Sequence, residues 1–259
     1  MRSSFRLVSF LFAAAMVLSL GQDDVVLLNE KAKTALAEGH PQEAVTLLEK
    51  AQALAPSDEV LQRNLAYAYY RRGMEKSDDG YRGLALLDLR EAAALDPSEP
   101  GYAIHIGSVL LSQYRLEEAE QILRPVLEEH PEKTNAWILL GDTLNLADRL
   151  EESLEAYAVA MGHEDSEWAS RAADSHARTS RQHAVEKDYL VDINDLFVIK
   201  HPVKTGGPLW GNALGSVLAG ARAEVCNLLD VQRSRRVTVV LYTPERFREV
   251  TGAHEWVGG

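Results

Sequence analysis

The chain has 259 residues, 46% hydrophobic and 25% charged, enough for one or two globular domains with a core. Its net charge of -12 is concentrated in residues 22–190, where 17 Lys and Arg face 32 Asp and Glu, while residues 191–259 carry 8 against 7. This acidity excludes a nucleic-acid partner for the first part, because phosphate binding needs a basic stripe.

Residues 1–21 read as an export signal. Arg2 and Arg6 precede an apolar run from Leu7 to Leu20, and Ser19 and Gly21 put small residues where a signal peptidase cuts. The run is too short and too soon interrupted for a membrane span. Cleavage after Gly21 would leave no stable span and deliver the remainder to the periplasm or the exterior; the alternative is an uncleaved anchor.

From there the chain repeats. Pro56, Pro97 and Pro131 each close a helical stretch, and the last two stand 34 residues apart, the period of a helix–turn–helix solenoid. Four units follow: Val25–Asp58, Glu59–Glu99, Pro100–Lys133 and Thr134–Glu167. Small residues (Ala32, Ala66, Gly107, Gly141) fall where the first helix of a unit meets the second, with Leu65, Ile106 and Leu140 filling the space beside them. The second unit is stretched: Pro56 to Pro97 is 41 residues, and the surplus is assigned to the polar turn Glu75–Tyr81 between its helices. Asp165 or Ser166 then caps a polar-faced helix that runs to about Val185 and closes the array. His176 and His183 lie on it, and two His alone make a solvated pair, not a zinc site.

Past Tyr189 the pattern changes. Leu196–His201 predicts a strand, Pro202–Pro208 a loop, and Trp210 to Leu228 an amphipathic helix holding Cys226, the single cysteine, in its apolar stretch. Arg233, Arg235 and Arg236 make a basic turn. Val237–Tyr242 predicts a buried strand, and Thr243-Pro244 caps and opens a short helix.

The repeat region resembles tetratricopeptide repeats, most closely in Trp137-x-x-Leu140-Gly141-x-x-Leu144. The resemblance implies a mainly α fold: an α-solenoid of about four units plus a capping helix over residues 22–188, then a small, incomplete α/β segment over 189–259. It also implies a protein or peptide partner held on the concave face of the first helices. Carried over by position, the groove residues are Lys33, Arg63, Tyr67, Tyr70, Arg71, Ile104, Ser108, Asp142 and Asn145. Tyr67, Tyr70, Arg63 and Arg71 are the leading candidates, since aromatics and Arg dominate binding hot spots; Tyr70 packing against the next unit is the competing expectation. The Asn/Lys clamp with which some such domains hold acidic tails is not recognisable.

The tail resembles the opening of the peptidase MA-like (gluzincin) zinc metallopeptidase domain, in Val237–Tyr242, Thr243–Phe247 and Val250-Thr251-Gly252 leading to Trp256–Gly259. That family's His-Glu-x-x-His motif is missing: His254-Glu255 is followed by Gly258 where the second His would stand. No catalytic residue, metal ligand or cofactor is therefore assigned to the chain as it stands. Zinc is expected only if a longer parent carries the motif. Two readings result: an exported repeat scaffold without catalytic activity, or the front part of a tetratricopeptide-containing zinc metallopeptidase.

Overall fold

The computed structural model describes residues 23–163, 167–202, 209–228 and 236–252. The signal reading of residues 1–21, the Asp165–Ser166 cap, the loop at 203–208, Arg233 and Arg235, and His254–Gly259 lie outside them. Among the described residues the chain is mainly helical, with a three-stranded sheet near its end. It divides into two compact units, one up to Leu139 and one from Leu140.

The first unit is built from helix pairs. α1 (residues 23–37) turns into α2 (Pro41–Leu54), α3 (Glu59–Asp78) into α4 (Arg82–Leu95), and α5 (Pro100–Ser112) into α6 (Leu116–Glu129). α7 (Thr134–Leu146) follows, and the division falls within it. Local chemistry sets the starts. Pro41 and Pro100 occupy first-turn positions, where a missing N–H costs nothing, and Asp58 accepts from the backbone N–H groups of Val60 and Leu61.

Each pair turns in the same way. The N–H of His40, Tyr81 and Arg115 bonds to the carbonyl five residues back, on Ala35, Lys76 and Leu110, which closes the helix with a left-handed residue. Gly39 and Gly80 fill that position at φ 81° and 85°; Tyr114 takes it at φ 56°. Short turns make the paired helices antiparallel, and apolar stripes from neighbouring helices then pack together. Ala32, Ala44, Leu48, Leu61, Leu65 and Ala68 form one cluster, and Leu86, Leu89, Ile106, Leu110 and Ala119 another.

The stretched repeat departs from expectation. α3 has 20 residues and α5 has 13, a surplus of seven, so the extra residues are helix and not turn. Their place is fixed by the helix crossing. A Cβ on Gly73 would stand 3.0 Å from Leu89 Cγ, as one on Gly107 would stand 2.8 Å from Leu123 Cδ2. Gly73, 34 residues before Gly107, therefore occupies the crossing position given to Ala66, and the surplus lies ahead of it. Ala66 packs with Ala92 and Tyr102 instead. Seven residues make two helical turns to within about 20°, so they lengthen α3 by about 10 Å without rotating its faces. Glu75–Asp79 belong to the polar end of that helix and the turn after it, where Arg72 and Lys76 meet Asp88.

In the second unit α8 (Leu150–Met161) packs on α9 (Glu167–Glu186). Gly141 lets Tyr157 approach, since a Cβ there would come within 2.5 Å of its ring. The turn into α8 repeats the earlier pattern, with Asp148 left-handed at φ 64° and Arg149 N–H bonded to Leu144. α9 is the expected closing helix, with a narrow buried stripe of Ala172, Ser175, Thr179 and Val185.

The tail forms β1 (Tyr189–Ile193), β2 (Phe197–Pro202), α10 (Leu209–Leu228), β3 (Val237–Val240) and α11 (Pro244–Thr251). β1 pairs antiparallel with β2, and β2 pairs parallel with β3 in the register Phe197 to Val237. β1 has no counterpart in the sequence reading. β3 is not the buried strand expected from its apolar run: it pairs only with β2 among the described residues, and Val237 is 38% exposed. Thr243 and Pro244 start α11 as expected, and Gly252 ends it left-handed. Cys226 is half-buried.

Candidate functional site

Arg63, Tyr67 and Arg71 are spaced four apart on α3, so they share one face. Arg71 donates to the Tyr67 hydroxyl at 3.2 Å and lies 5.8 Å from its ring centroid, a cation–π contact that orders an otherwise solvated pair. Tyr67 remains 43% exposed. On α1, Lys33 faces the same space, held among the described residues by an exposed ion pair to Glu30 at 2.8 Å. Asn64 donates to Asn29 at 2.8 Å and so joins the two helices.

Between them is a shallow cavity of about 300 Å³ lined by Lys33, Leu36, Asn64, Tyr67 and Arg71, with Ala37 and Leu48 behind. Two cations, one amide and one phenol thus meet over apolar side chains, with no carboxylate among the described lining residues. Such a surface can bind oxygen acceptors through charge-assisted hydrogen bonds while an aromatic ring supplies contact area.

The remaining predicted groove residues are placed differently. Tyr70 is half-buried and bridges α3 to α5, with its ring 5.3 Å from Tyr102 and 5.0 Å from His105. His105 Nδ1 lies 2.8 Å from the Gly101 carbonyl, which can only accept, so Nδ1 carries the proton. With the proton on Nδ1, His105 Nε2 lies 3.2 Å from the Tyr70 hydroxyl, which can donate to it. Burial raises the Tyr70 phenol above its ordinary value. Ile104 is 3% exposed and acts through packing, and Ser108 is half-buried.

Asp142 and Asn145 belong to the second unit and are engaged there. Asp142 accepts from Tyr157 at 2.6 Å and from Arg171 at 3.2 Å, and Asn145 donates to Thr179 at 3.1 Å. Of the nine predicted residues, the structure gathers Lys33, Tyr67 and Arg71 around one cavity, with Arg63 one turn away. Asn64 was missed, although its spacing of three and seven from Tyr67 and Arg71 puts it on their face.

The second unit holds a buried polar network. Lys200 on β2 donates to Asp148 and, at 3.1 Å, to Glu186, while Tyr242 donates its hydroxyl to Glu186. Burial alone would lower the Lys200 ammonium, but its hydrogen bonds to Asp148 and Glu186 carry it above its ordinary value. His183 lies 3.4 Å from Glu151 and away from any metal-like group. Among the described residues no three His, Cys, Asp or Glu gather as metal ligands, and no helix is long and apolar enough to cross a membrane.

The family model described as "Tetratricopeptide repeat" matches residues 29–74 and 105–166. The match breaks across the unit whose first helix is lengthened. Among solved structures, MamA from Desulfovibrio magneticus RS-1 is 19% identical, with 62% of this chain and 92% of that one covered at a TM-score of 0.46. The Arabidopsis OM64 TPR domain is 16% identical, with 47% and 98% covered at 0.43. No protein of curated function matches the sequence. The 34-residue spacing, the repeated turn geometry and the family match agree that the matched residues, 29–74 and 105–166, form tetratricopeptide repeats.

Proposed function

We propose that the array is a scaffold that holds a protein or peptide partner on the face of α1 and α3. The observation that carries this reading is the cavity where Lys33, Asn64, Tyr67 and Arg71 converge, with no carboxylate among the described lining residues. The partner would be a segment presenting carboxylate or carbonyl oxygens beside an apolar side chain. Pull-down of partners with wild type and with the Arg63→Ala/Tyr67→Ala/Arg71→Ala variant tests it. The variant is expected to lose the partners that wild type recovers, and equal recovery would remove this face as the site.

Export is part of the same proposal and is supported by the Arg2/Arg6 and Leu7–Leu20 pattern. Cell fractionation with N-terminal sequencing of the mature chain checks it, with Gln22 expected as the first residue. A second reading, the front part of a zinc metallopeptidase, is favoured by the parallel β2–α10–β3 unit and the open edge of β3 among the described residues. Sequencing the gene downstream of Gly259 tests that reading: an in-frame His-Glu-x-x-His is the expected result, and a stop codon there would sink it.

A further inference from the structure

The lengthened α3 has a second consequence, on the side of the second helices. A cleft of about 370 Å³ lies between α2 and α4, with Leu65 and Tyr69 of α3 as its floor. Leu65 stands eight residues before Gly73, and the residue eight before Gly107 is Glu99, the cap of α5. α5 therefore has no helical residue where Leu65 supplies this floor.

Pro56 and Leu95 add apolar walls, and Glu49 and Glu91 stand on opposite sides, on α2 and α4. Among the described residues no Lys or Arg lines the cleft. Glu49 is fixed in place, because Tyr69 donates to its Oε1 at 2.7 Å. Burial and that carboxylate push the Tyr69 phenol up to about 12, so it remains a donor at every physiological pH. Arg72 lies 5.0 Å from the Tyr69 centroid and is committed to Asp88 at 2.8 and 2.7 Å. Glu91 has no ion-pair partner among the described residues.

We propose that this cleft is a second docking site, taking a lysine or arginine from an extended segment of a partner protein. The alkyl stem would lie on Leu65, Tyr69 and Leu95, and the cationic head would reach Glu49 and Glu91. A long basic side chain matches this shape because it buries its stem and keeps its charge at the rim, and the paired carboxylates give it charge-assisted hydrogen bonds. The site is independent of the α1–α3 cavity and has the opposite charge.

The test uses the full chain and two labelled probe peptides, acetyl-Leu-Lys-Leu-amide and its Gln counterpart. Binding is followed by amide chemical shifts, with wild type, Glu49→Gln/Glu91→Gln, and Glu128→Gln/Glu129→Gln, which removes the same charge elsewhere. The Lys peptide should shift residues of α2, α3 and α4 around the cleft. Its affinity should exceed that of the Gln peptide on the order of tenfold. That preference should vanish in the cleft variant and persist in the control variant. No preference for Lys, shifts confined to other surfaces, or equal loss in both variants would overturn the proposal. Partner recovery in the α1–α3 experiment depends on different residues, so either site can fail without the other.

Discussion

In the first unit an anion is buried between cations, Asp88 with Arg72 and Lys76; in the second a cation, Lys200, is buried between Asp148 and Glu186. The reach of the two clusters differs more than their sign. Asp88 meets partners 16 and 12 residues away, inside one helix pair. Lys200 meets Asp148 across 52 residues and Glu186 across 14, and Tyr242 meets Glu186 across 56. The first cluster reinforces contacts that a short turn already makes easy. The second joins a repeat turn, the closing helix, a strand and the segment after β3, so it specifies a non-local arrangement that apolar patterning alone leaves open.

The largest expected effect follows from that difference. Lys200→Met should destabilise the second unit by about 3–5 kcal/mol, because it strands two carboxylates, Glu186 with a side chain only 2% exposed. Hydrogen exchange should show protection lost in β2 and the end of α9 and kept in α3 and α4; loss everywhere would break the comparison. Asp88→Asn should cost less, about 2 kcal/mol, since Arg72 and Lys76 are 14% and 26% exposed and can turn toward water. Here the exchange should rise in α3 and α4.

Titration sharpens the contrast. Burial pushes the Asp88 carboxyl up, but hydrogen bonds and charge from Arg72 and Lys76 outweigh it and hold the group below 3.8. A depressed folded value contributes stability above the unfolded value, lost as pH falls through the folded one. An acid titration of the first unit should therefore show a limb below about pH 3.8 that Asp88→Asn removes. The Lys200 ammonium is raised, so its contribution is complete below 10.5 and is lost as pH rises past the folded value. The second unit of wild type should loosen in alkali, and Lys200→Met should lack that step.

A packing change should have a smaller effect. Gly107→Ala forces Leu123 to move and should cost about 1 kcal/mol net, overpacking being partly offset by helix propensity. The smallest effect belongs to Tyr67→Ala, within about 0.5 kcal/mol by thermal unfolding, since that side chain is exposed. A larger loss would mean that Tyr67 supports the array instead of facing a partner.

Much of the fold was legible because prolines and small residues at a fixed period report backbone events directly. Pro56, Pro97 and Pro131 mark helix ends, and Gly107 and Gly141 mark crossings. The surplus residues were misplaced for a physical reason. Glu75–Asp79 are polar, and polarity suits the solvated end of a helix as well as a turn. Gly73, buried against Leu89, was the residue that could have corrected the register. β1 escaped notice because Tyr189–Ile193 leaves four of its five residues exposed, so it carries little core pattern. Of the site, Lys33, Tyr67 and Arg71 came from the family resemblance, carried over by position on the first helices of their units. Glu49 and Glu91 were not: they sit 42 residues apart on different helices and look like two more acids in an acidic chain.

The length of the α3 surplus has a consequence for how such an array can vary. An insertion of seven residues acts as a translation without a turn: it slides one part of a helix about 10 Å past its neighbours while every side chain keeps its bearing. An insertion of five would instead swing the residues before it by about 140° relative to those after it, so a contact residue ahead of it would leave the face it shares with Gly73. Spacing between contact points on such a surface can therefore be set in steps of about two helical turns, leaving the identity of the contacts untouched.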